Sequence, residues 1–154
     1  MKTLNKKLII RQLDKKMEKL SVLDESIIPS NGWIKTIRTA LNMTLVQFAK
    51  RLGKTSPTVK ELEDREANKT ITLKKLMEVG EALDLKLVYG FIPKEGSLEK
   101  MIEKRAMELA EKIVRKTSHN MALEDQQNSE ERLQQAIKER ALIIKEQTPK
   151  YLWD

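Results

Sequence analysis

Apolar residues recur along most of this chain at the spacing of amphipathic helices, interrupted by short polar turns. Between Ile37 and Glu63 they form two short helical stretches. Val59 and Leu62 are three positions apart, so they share the buried face of the second stretch. Gly53 separates the stretches, at a position where a left-handed residue ends a helix and glycine carries the least strain. The pattern predicts two helices joined by a tight turn.

Capping residues predict where each helix begins. Serine, threonine or asparagine at the N-cap accepts a hydrogen bond from an amide of the first turn, and proline fits that turn because no amide partner is needed there. Pro57 lies in the first turn of one predicted helix. The predicted N-caps are Ser30 or Asn31, Thr44, Thr55 or Ser56, Thr72, Ser97 and Ser129.

Longer helical stretches lie on both sides of this short-helix region. Thr3 to Val22 is expected to bury a broad apolar stripe that includes Leu4, Leu8, Met17 and Leu20, with Lys2 and six further basic residues around it. We expect this helix to pack on the core with some contact to DNA phosphates; contact with a second subunit is the alternative. Further along the chain, helical spacing continues from Leu98 to about Lys116 and then resumes. The tail from Tyr151 to Asp154 is unusually apolar, so we expect it to pack against the protein.

One segment has the composition of a strand. Lys86 to Ile92 has the sequence KLVYGFI and is bounded by Asp84 and Pro93. A strand must pair its backbone groups, and the only nearby candidate, Ser26 to Ile28, is weak. The alternative partner is the same segment of a second copy, paired antiparallel about a two-fold axis. We therefore predict one short strand and a homodimer.

Composition limits the classes of protein to which the chain can belong. It has 154 residues and no cysteine, which excludes disulfides and thiolate metal sites and favours a cytoplasmic location. No apolar run is long enough to cross a bilayer, so we expect no membrane partner. The length suits one domain, or a small domain with an appendage.

The net charge of +7 is unevenly distributed. Residues 1–96 contain 19 lysines and arginines against 12 aspartates and glutamates, whereas residues 97–154 contain 11 of each class. The excess therefore lies in the half that contains the short helices. Counterion release would give that half an affinity for a polyanion such as nucleic acid.

The residues around the buried pair of the second short helix are polar and are expected to face outward. A short helix with such a surface fits the major groove of DNA. We expect Lys60 to donate to guanine, Pro57 to contact a thymine methyl, and Glu61 to accept from cytosine or to hold Lys60. The candidate base-contacting residues are Ser56, Pro57, Thr58, Lys60 and Glu61.

Phosphate contacts are expected around this surface. Thr44 and Thr55 lie at predicted helix N-termini, whose amides attract anions. Nearby cations would neutralise further phosphates, although a solvated surface charge is an equally good interpretation of Lys35 and Lys50. The remaining candidates are Arg38, Arg51 and Lys54.

No combination of residues predicts catalysis. His119 is the only histidine, and with Glu124 and Asp125 nearby it makes a poor metal site, so a hydrogen-bonded residue at a helix end is the better interpretation. No nucleophile–base pair, glycine-rich phosphate loop or pair of catalytic carboxylates is evident in the sequence. We expect no enzymatic activity, no metal and no cofactor.

The short-helix region shares a set of residues with one known family. They are Ile37-Arg38, Thr44, Phe48-Ala49, Arg51-Leu52-Gly53, Val59 and Leu62-Glu63. On these residues the region, about a third of the chain, resembles the XRE-type, lambda-repressor-like helix-turn-helix family. Many members carry glutamine where this chain has Leu45 and Ser56, the first to bind a phosphate and the second to contact adenine.

A second set of segments extends over the whole chain. On these segments the chain resembles the mobile mystery protein A family. The resemblance implies a mainly α fold, in which a lambda-repressor-like helix-turn-helix bundle is followed by one short β-strand and a C-terminal helical extension. It also implies a regulator, or an antitoxin, paired with a protein that carries a Fic domain. The segments are Gln12-Leu13-Asp14, Gly32-Trp33-Ile34, Ile71-Thr72-Leu73, Leu87-Val88-Tyr89, His119, Met121 to Gln126, and Leu152-Trp153-Asp154.

These observations predict a sequence-specific DNA-binding transcriptional regulator, an autorepressor that binds a palindromic operator as a homodimer. Its two recognition helices would lie about 34 Å apart. The alternative is an antitoxin-like interaction module that binds a Fic-domain partner through its C-terminal helices. The predicted regions are an N-terminal helix and linker (1–29), the DNA-binding domain (30–84), the strand and a linker (85–96), and a C-terminal helical region (97–154).

Overall fold

The computed structural model describes residues 2–123 and 129–154. This part of the chain is mainly helical, which confirms the expected fold class at that level. Two short 3-10 turns, Glu25–Ile27 and Lys150–Trp153, accompany the α-helices. The α-helices are α1 (Lys2–Glu18), α2 (Trp33–Ala40), α3 (Leu45–Leu52), α4 (Ser56–Ala67), α5 (Leu73–Ala82), α6 (Leu98–Leu123) and α7 (Glu130–Gln147).

The chain folds into two compact units, each with its own apolar core. The central unit is Val22–Gly90, and the terminal unit combines Met1–Ser21 with Phe91–Asp154. The core of the central unit consists of Ile34, Phe48, Ala49, Val59, Leu62, Val79 and Leu83. The core of the terminal unit consists of Ile102, Ala106, Ala110, Ile137, Ala141, Ile144 and Leu152.

Local capping starts the short helices of the central unit where the sequence predicts. At α3, the amide of Gln47 donates to the Thr44 hydroxyl at 3.1 Å, and the Gln47 side chain accepts from the Thr44 amide at 2.9 Å. Thr55 caps α4 and Thr72 caps α5 in the same way, through their hydroxyls. Gly53 ends α3 in the left-handed conformation, with φ of 65°. These predictions are confirmed.

Helix α2 begins differently from the prediction. Neither Ser30 nor Asn31 caps it; Gly32 occupies the N-cap and offers no side chain. Instead, the Glu66 carboxylate accepts hydrogen bonds from the amides of Trp33 and Ile34, both at 2.8 Å. A carboxylate at a helix N-terminus also interacts favourably with the helix dipole. The cap therefore ties α2 to the end of α4.

Gly32→Ala is expected to lower the free energy of unfolding by about 2–3 kcal/mol. Gly32 has φ of 83° and ψ of 164°, a conformation that essentially only glycine adopts. An added Cβ would also lie 2.7 Å from Oε2 of Glu66 and displace the cap of α2.

Urea denaturation followed by circular dichroism measures this loss, and Gly53→Ala is the matched control. Gly53 also has a positive φ, but a Cβ there meets nothing within 4 Å. The free energy of unfolding of the control should fall by about 1 kcal/mol, because only the left-handed conformation disfavours alanine there. Equal losses in the two variants would contradict the role given to Glu66.

In the terminal unit, α6 and α7 pack along their lengths. Ala106 and Ala110 of α6 are fully buried, and small residues at these positions let Ile137 and Ile144 of α7 fill the space opposite. Helix α6 does not end near Lys116, as its apolar spacing suggested, but continues to Leu123. Ser129 caps α7 as predicted, accepting from the amide of Arg132.

Helix α1 attaches to α6 and α7 through polar contacts. The Asp14 carboxylate accepts from the amides of Leu98 at 2.7 Å and Glu99 at 3.3 Å, so it caps α6. Lys7 forms an ion pair with Glu146 of α7, and this hydrogen bond holds the pKa of Glu146 below its ordinary value.

The predicted apolar stripe of α1 is wrong in its N-terminal half, because α1 does not dock through Leu4 and Leu8. Leu4 is 74% exposed and Leu8 is also exposed. The partly covered side of α1 consists of Lys7, Ile10, Asp14 and Met17, a set in which polar anchoring replaces part of the apolar contact. Met17 belongs to the predicted stripe, as does Leu20, which is half-buried just after the helix.

The tail of the chain packs against α6, as predicted. Leu152 is fully buried in the core of the terminal unit. Arg105 secures the backbone around it: its Nε donates to the carbonyl of Leu152 at 2.7 Å, and a terminal nitrogen donates to the carbonyl of Asp154 at 2.5 Å.

The strand predicted at Lys86 to Ile92 is not formed in the single chain. The segment has no regular secondary structure, and among the described residues its backbone groups have no backbone partner. The weak pairing candidate, Ser26 to Ile28, forms the end of the 3-10 turn Glu25–Ile27 and the residue that caps it. Composition favours a strand here, but a strand exists only when another strand pairs with it. The segment is left with exposed apolar side chains, among them Phe91 at 81%.

Candidate nucleic-acid interface

Helices α3 and α4 form a mainly polar outer surface over an inner one that is apolar except for the buried Glu63. Phe48 and Ala49 of α3 and Val59 of α4 are buried in the core of the central unit. The turn through Gly53 lets α4 start directly after α3, with Thr55 as its N-cap. The outer surface of this pair carries most of the candidate residues from the sequence: Arg51, Lys54, Thr55, Pro57, Lys60 and Glu61 are exposed, and Ser56 and Thr58 are half-buried.

The first turn of α4 presents two hydroxyl groups side by side. The hydroxyls of Thr55 and Thr58 lie 2.8 Å apart, and the Thr55 hydroxyl also accepts from the Thr58 amide at 3.4 Å. Pro57 is exposed next to them and leaves no amide unsatisfied, because it has none. A hydroxyl both donates and accepts, so this turn can meet either a phosphate oxygen or a base edge.

The charged residues of α4 pair with each other along the helix. Lys60 lies 3.5 Å from Asp64, and Arg65 donates to Glu61 at 2.6 Å. Glu61 therefore holds Arg65, and the expectation that it would hold Lys60 is wrong. Exposed pairs at this spacing contribute only about 0.3–0.5 kcal/mol. The Lys60 ammonium is consequently available to a stronger acceptor.

Arg38 is placed where it cannot act as the phosphate contact expected from the sequence. Its side chain is 11% exposed, and its Nε and one terminal nitrogen donate to Glu63 at 2.5 and 3.2 Å. The other terminal nitrogen donates to the carbonyl of Met43 at 2.9 Å. Arg38 thus links α2 to α4 and to the residue just before the Thr44 cap, so it positions the candidate surface from beneath.

The other phosphate candidates remain accessible. Arg51 and Lys54 are exposed at the end of α3 and in the turn, and neither forms an ion pair with any described residue. Lys35 and Lys50 are exposed as well. At the N-terminus of α3, Thr44 is occupied with its reciprocal bonds to Gln47, so any anion there would meet the first amides of the helix rather than the threonine hydroxyl.

The positive charge is distributed differently between the two units than between the two halves of the sequence. The central unit holds 11 lysines and arginines against 9 aspartates and glutamates, an excess of only two. Residues 1–21 hold seven against two, and they belong to the terminal unit. The α3–α4 surface is therefore only modestly basic, and most of the excess lies on α1.

Two residues that shape the candidate surface were missed in the sequence. Glu63 follows Val59 by four positions, so an acid falls on the buried face of α4; that position is a signal for a buried cation, which proves to be Arg38. Glu66 gives no such signal, because the amides that it caps lie more than thirty residues earlier in the chain.

Nothing in the described part of the chain forms a metal site. His119 is exposed on α6, while Glu124 and Asp125 lie outside the described residues. Across residues 2–123 and 129–154, no three potential metal ligands come together. None of the helices described is long and apolar enough to cross a membrane.

The segments on which the wider resemblance rests include several of these structural contacts: Asp14 caps α6, Gly32 accommodates the Glu66 cap, and Leu152 is buried beneath Arg105. Residues Glu124 to Gln126 of those segments are outside the described part. In comparisons with protein-family models, curated proteins and solved structures, no match to this chain was found.

Proposed function

We propose that this protein is a sequence-specific DNA-binding transcriptional regulator. The observation that carries the proposal is the surface of α4: its first turn and Lys60 are accessible and weakly paired, while Val59 and Leu62 on its opposite side are buried. A helix held in this way has a rigid position and a free polar face, which is what insertion into a major groove requires. In this proposal, α3 and α4 form a helix-turn-helix of the XRE type, and α4 is the recognition helix.

The residues of the surface divide into two roles. Ser56, Pro57, Thr58 and Lys60 contact base edges, where a bidentate contact discriminates between bases by about 1–3 kcal/mol. Arg51, Lys54 and Thr55 contact phosphates, which orient the helix without reading sequence. The residues proposed to carry sequence recognition are therefore those of the first two turns of α4.

The regulator is proposed to act as a homodimer on a palindromic operator, with autorepression as its effect. Two observations support this part of the proposal: the backbone of Lys86 to Ile92 has no backbone partner within residues 2–123 and 129–154, and Val88, Tyr89 and Phe91 are exposed. Antiparallel pairing of the segment with its copy would satisfy the backbone groups and cover these side chains. Sedimentation equilibrium of the full chain tests it: a monomer at micromolar concentration would reject the dimer.

Lys60→Ala is expected to weaken binding to the operator about 5- to 150-fold, the equivalent of about 1–3 kcal/mol, and to relax base preference at one position. The operator is first located by footprinting over the protein's own promoter, and affinities are then measured at fixed salt on operator and random duplexes.

Lys74→Ala is the matched control, because Lys74 is exposed on α5 and outside the proposed interface. This control should change the affinities for operator and random duplexes by no more than about twofold. Equal losses on operator and random DNA for Lys60→Ala would assign Lys60 to phosphate. Wild-type protein that prefers no sequence over random DNA would reject the proposed function.

A second candidate function is favoured by the surface of α7. Leu142 is 61% exposed, and its neighbour Ile143 is exposed as well, on a helix whose opposite side is already buried against α6. Two adjacent exposed apolar side chains suit a protein partner, and the resemblance implies a Fic-domain protein in an antitoxin-like pair. Co-expression and co-purification with such a partner test it, and the double variant Leu142→Lys and Ile143→Lys should abolish the complex if α7 forms the interface.

A further inference from the structure

Helix α1 concentrates positive charge that the proposed recognition surface does not use. Residues 1–21 carry seven lysines and arginines and only two acids, Asp14 and Glu18. This excess of five compares with a net excess of two for the rest of the chain. Of the two acids, Asp14 is committed to the amides at the start of α6, which leaves Glu18 as the exposed one.

Four of these cations lie on the exposed side of α1. Arg11, Lys15 and Lys19 follow one another at intervals of four residues, so they line one side of the helix and the turn after it, with Lys16 next to them. Neighbours at this spacing have Cβ atoms about 5–6 Å apart. All four are exposed, and none forms an ion pair with a described residue.

The packed side of α1 adjoins these cations, because Arg11 and Lys15 border a shallow hollow together with Asp14 and with Glu99 of α6. Ile10, Asp14 and Met17 face α6, and Lys7 forms the only ion pair that the structure gives for α1 within the described residues. The polar anchoring therefore keeps one side of the helix in contact and holds the cationic side in solvent. A row of exposed cations that repel one another is unfavourable unless an anion neutralises it.

We propose that α1 is a second DNA-contacting surface, on which Arg11, Lys15, Lys16 and Lys19 bind the phosphate backbone. This inference rests on the proposed function, since the duplex is the one that α4 recognises. Covalent linkage to the central unit raises the effective concentration of α1 near bound DNA. Contacts to phosphate add affinity and salt dependence but carry no sequence information.

A lipid surface is the other polyanion that a basic helix can meet, and α1 fits it less well. Interfacial helices insert one continuous apolar face beside the cationic one. In α1 the exposed apolar residues are divided, with Leu4 and Leu8 on one side and Ile9 and Leu13 on another. There is thus no single apolar face to insert, and the charge is the dominant feature of the exposed surface.

The test compares two quadruple variants of the full chain. The first neutralises the proposed surface: Arg11→Gln, Lys15→Gln, Lys16→Gln and Lys19→Gln. The control neutralises one arginine and three lysines on the exposed surface of α6 and α7: Lys112→Gln, Lys116→Gln, Lys138→Gln and Arg140→Gln. Both variants remove the same net charge and no buried residue, so any difference reports location. Circular dichroism verifies that both are folded.

Affinities for operator and random duplexes are measured between about 50 and 200 mM salt. Each phosphate contact contributes about 0.9 to the slope of log affinity against log salt. The α1 variant should lower that slope by about 2–4 and weaken binding to both duplexes about 100-fold at 0.1 M salt. The control should change affinity less than about threefold, from net charge alone.

An unchanged slope in the α1 variant would overturn the inference and leave the proposed function intact. The opposite outcome combines two results: the wild-type protein binds operator and random DNA equally, and the salt slope is lower in the α1 variant. These results would reject sequence-specific regulation but support the α1 contact. Vesicles of phosphatidylcholine and phosphatidylserine provide the third arm. Loss of vesicle binding with unchanged DNA binding would assign α1 to a membrane and overturn the inference.

Discussion

Replacing Arg38 with methionine is expected to lower the free energy of unfolding of the central unit by about 3–5 kcal/mol. The substitution keeps most of the side-chain volume but leaves Glu63, which is 2% exposed, with a buried charge and no partner. It also removes the donor from the carbonyl of Met43. Breaking one side of a buried ion pair is costly because the remaining charge stays desolvated.

Urea denaturation and hydrogen exchange of the α3 and α4 amides measure this loss. Arg65→Met is the matched control, because Arg65 forms an exposed pair with Glu61 on the same helix and should contribute no more than about 0.5 kcal/mol. The free energy of unfolding of the double variant Arg38→Met and Glu63→Met should exceed that of Arg38→Met alone by about 2 kcal/mol or more, because no unpaired charge then remains buried. Equal losses for Arg38→Met and Arg65→Met would contradict the buried pair.

This buried pair also explains why one of the candidate DNA contacts could not be assigned from the sequence. Arg38 and Lys60 both belong to short amphipathic helices, and nothing local distinguishes their roles. What separates them is the element that packs on each: α4 covers Arg38 with Glu63, whereas nothing among the described residues covers Lys60 beyond its own helix. Exposure is a tertiary property, so the sequence predicts a set of candidate cations more readily than which of them is free.

The helix caps also divide into those that local sequence predicts and those that depend on packing. The caps at Thr44, Thr55 and Thr72 could be predicted because donor and acceptor are three residues apart. The caps supplied by Glu66 and Asp14 could not, because their acceptors and donors lie 32 and 84 residues apart. Local sequence signals therefore predicted where most helices lie, whereas the contacts between helices were seen only in the structure.

The strand predicted at Lys86 to Ile92 is not confirmed, for a related reason. β-Branched and aromatic residues fit a pleated, half-buried surface, but they do not supply the partner that makes such a surface. Among the described residues of a single chain, the segment has no backbone partner. The composition therefore indicates what this segment is suited to, but a strand forms only where another strand pairs with it.

Leu152→Ala is expected to lower the free energy of unfolding of the terminal unit by about 2–5 kcal/mol. Leu152 is fully buried within the core formed with α6 and α7, and it lies in a short 3-10 turn that Arg105 holds through the backbone. Truncation leaves a cavity that the fixed backbone cannot readily close. The loss should appear in hydrogen exchange as reduced protection of α6 and α7 amides.

The core of the central unit contains none of the residues that surround Leu152, so the amides of α3 and α4 should keep their protection in this variant. Leu142→Ala makes the same chemical change on α7 at a position that is 61% exposed, and it should alter stability by no more than about 0.5 kcal/mol. Equal effects of the two substitutions would show that the tail is not packed as described. Loss of protection that spreads equally into α3 and α4 would show instead that the two cores unfold as one cooperative unit. Loss confined to α6 and α7 would mean that the proposed recognition surface persists when the terminal unit opens.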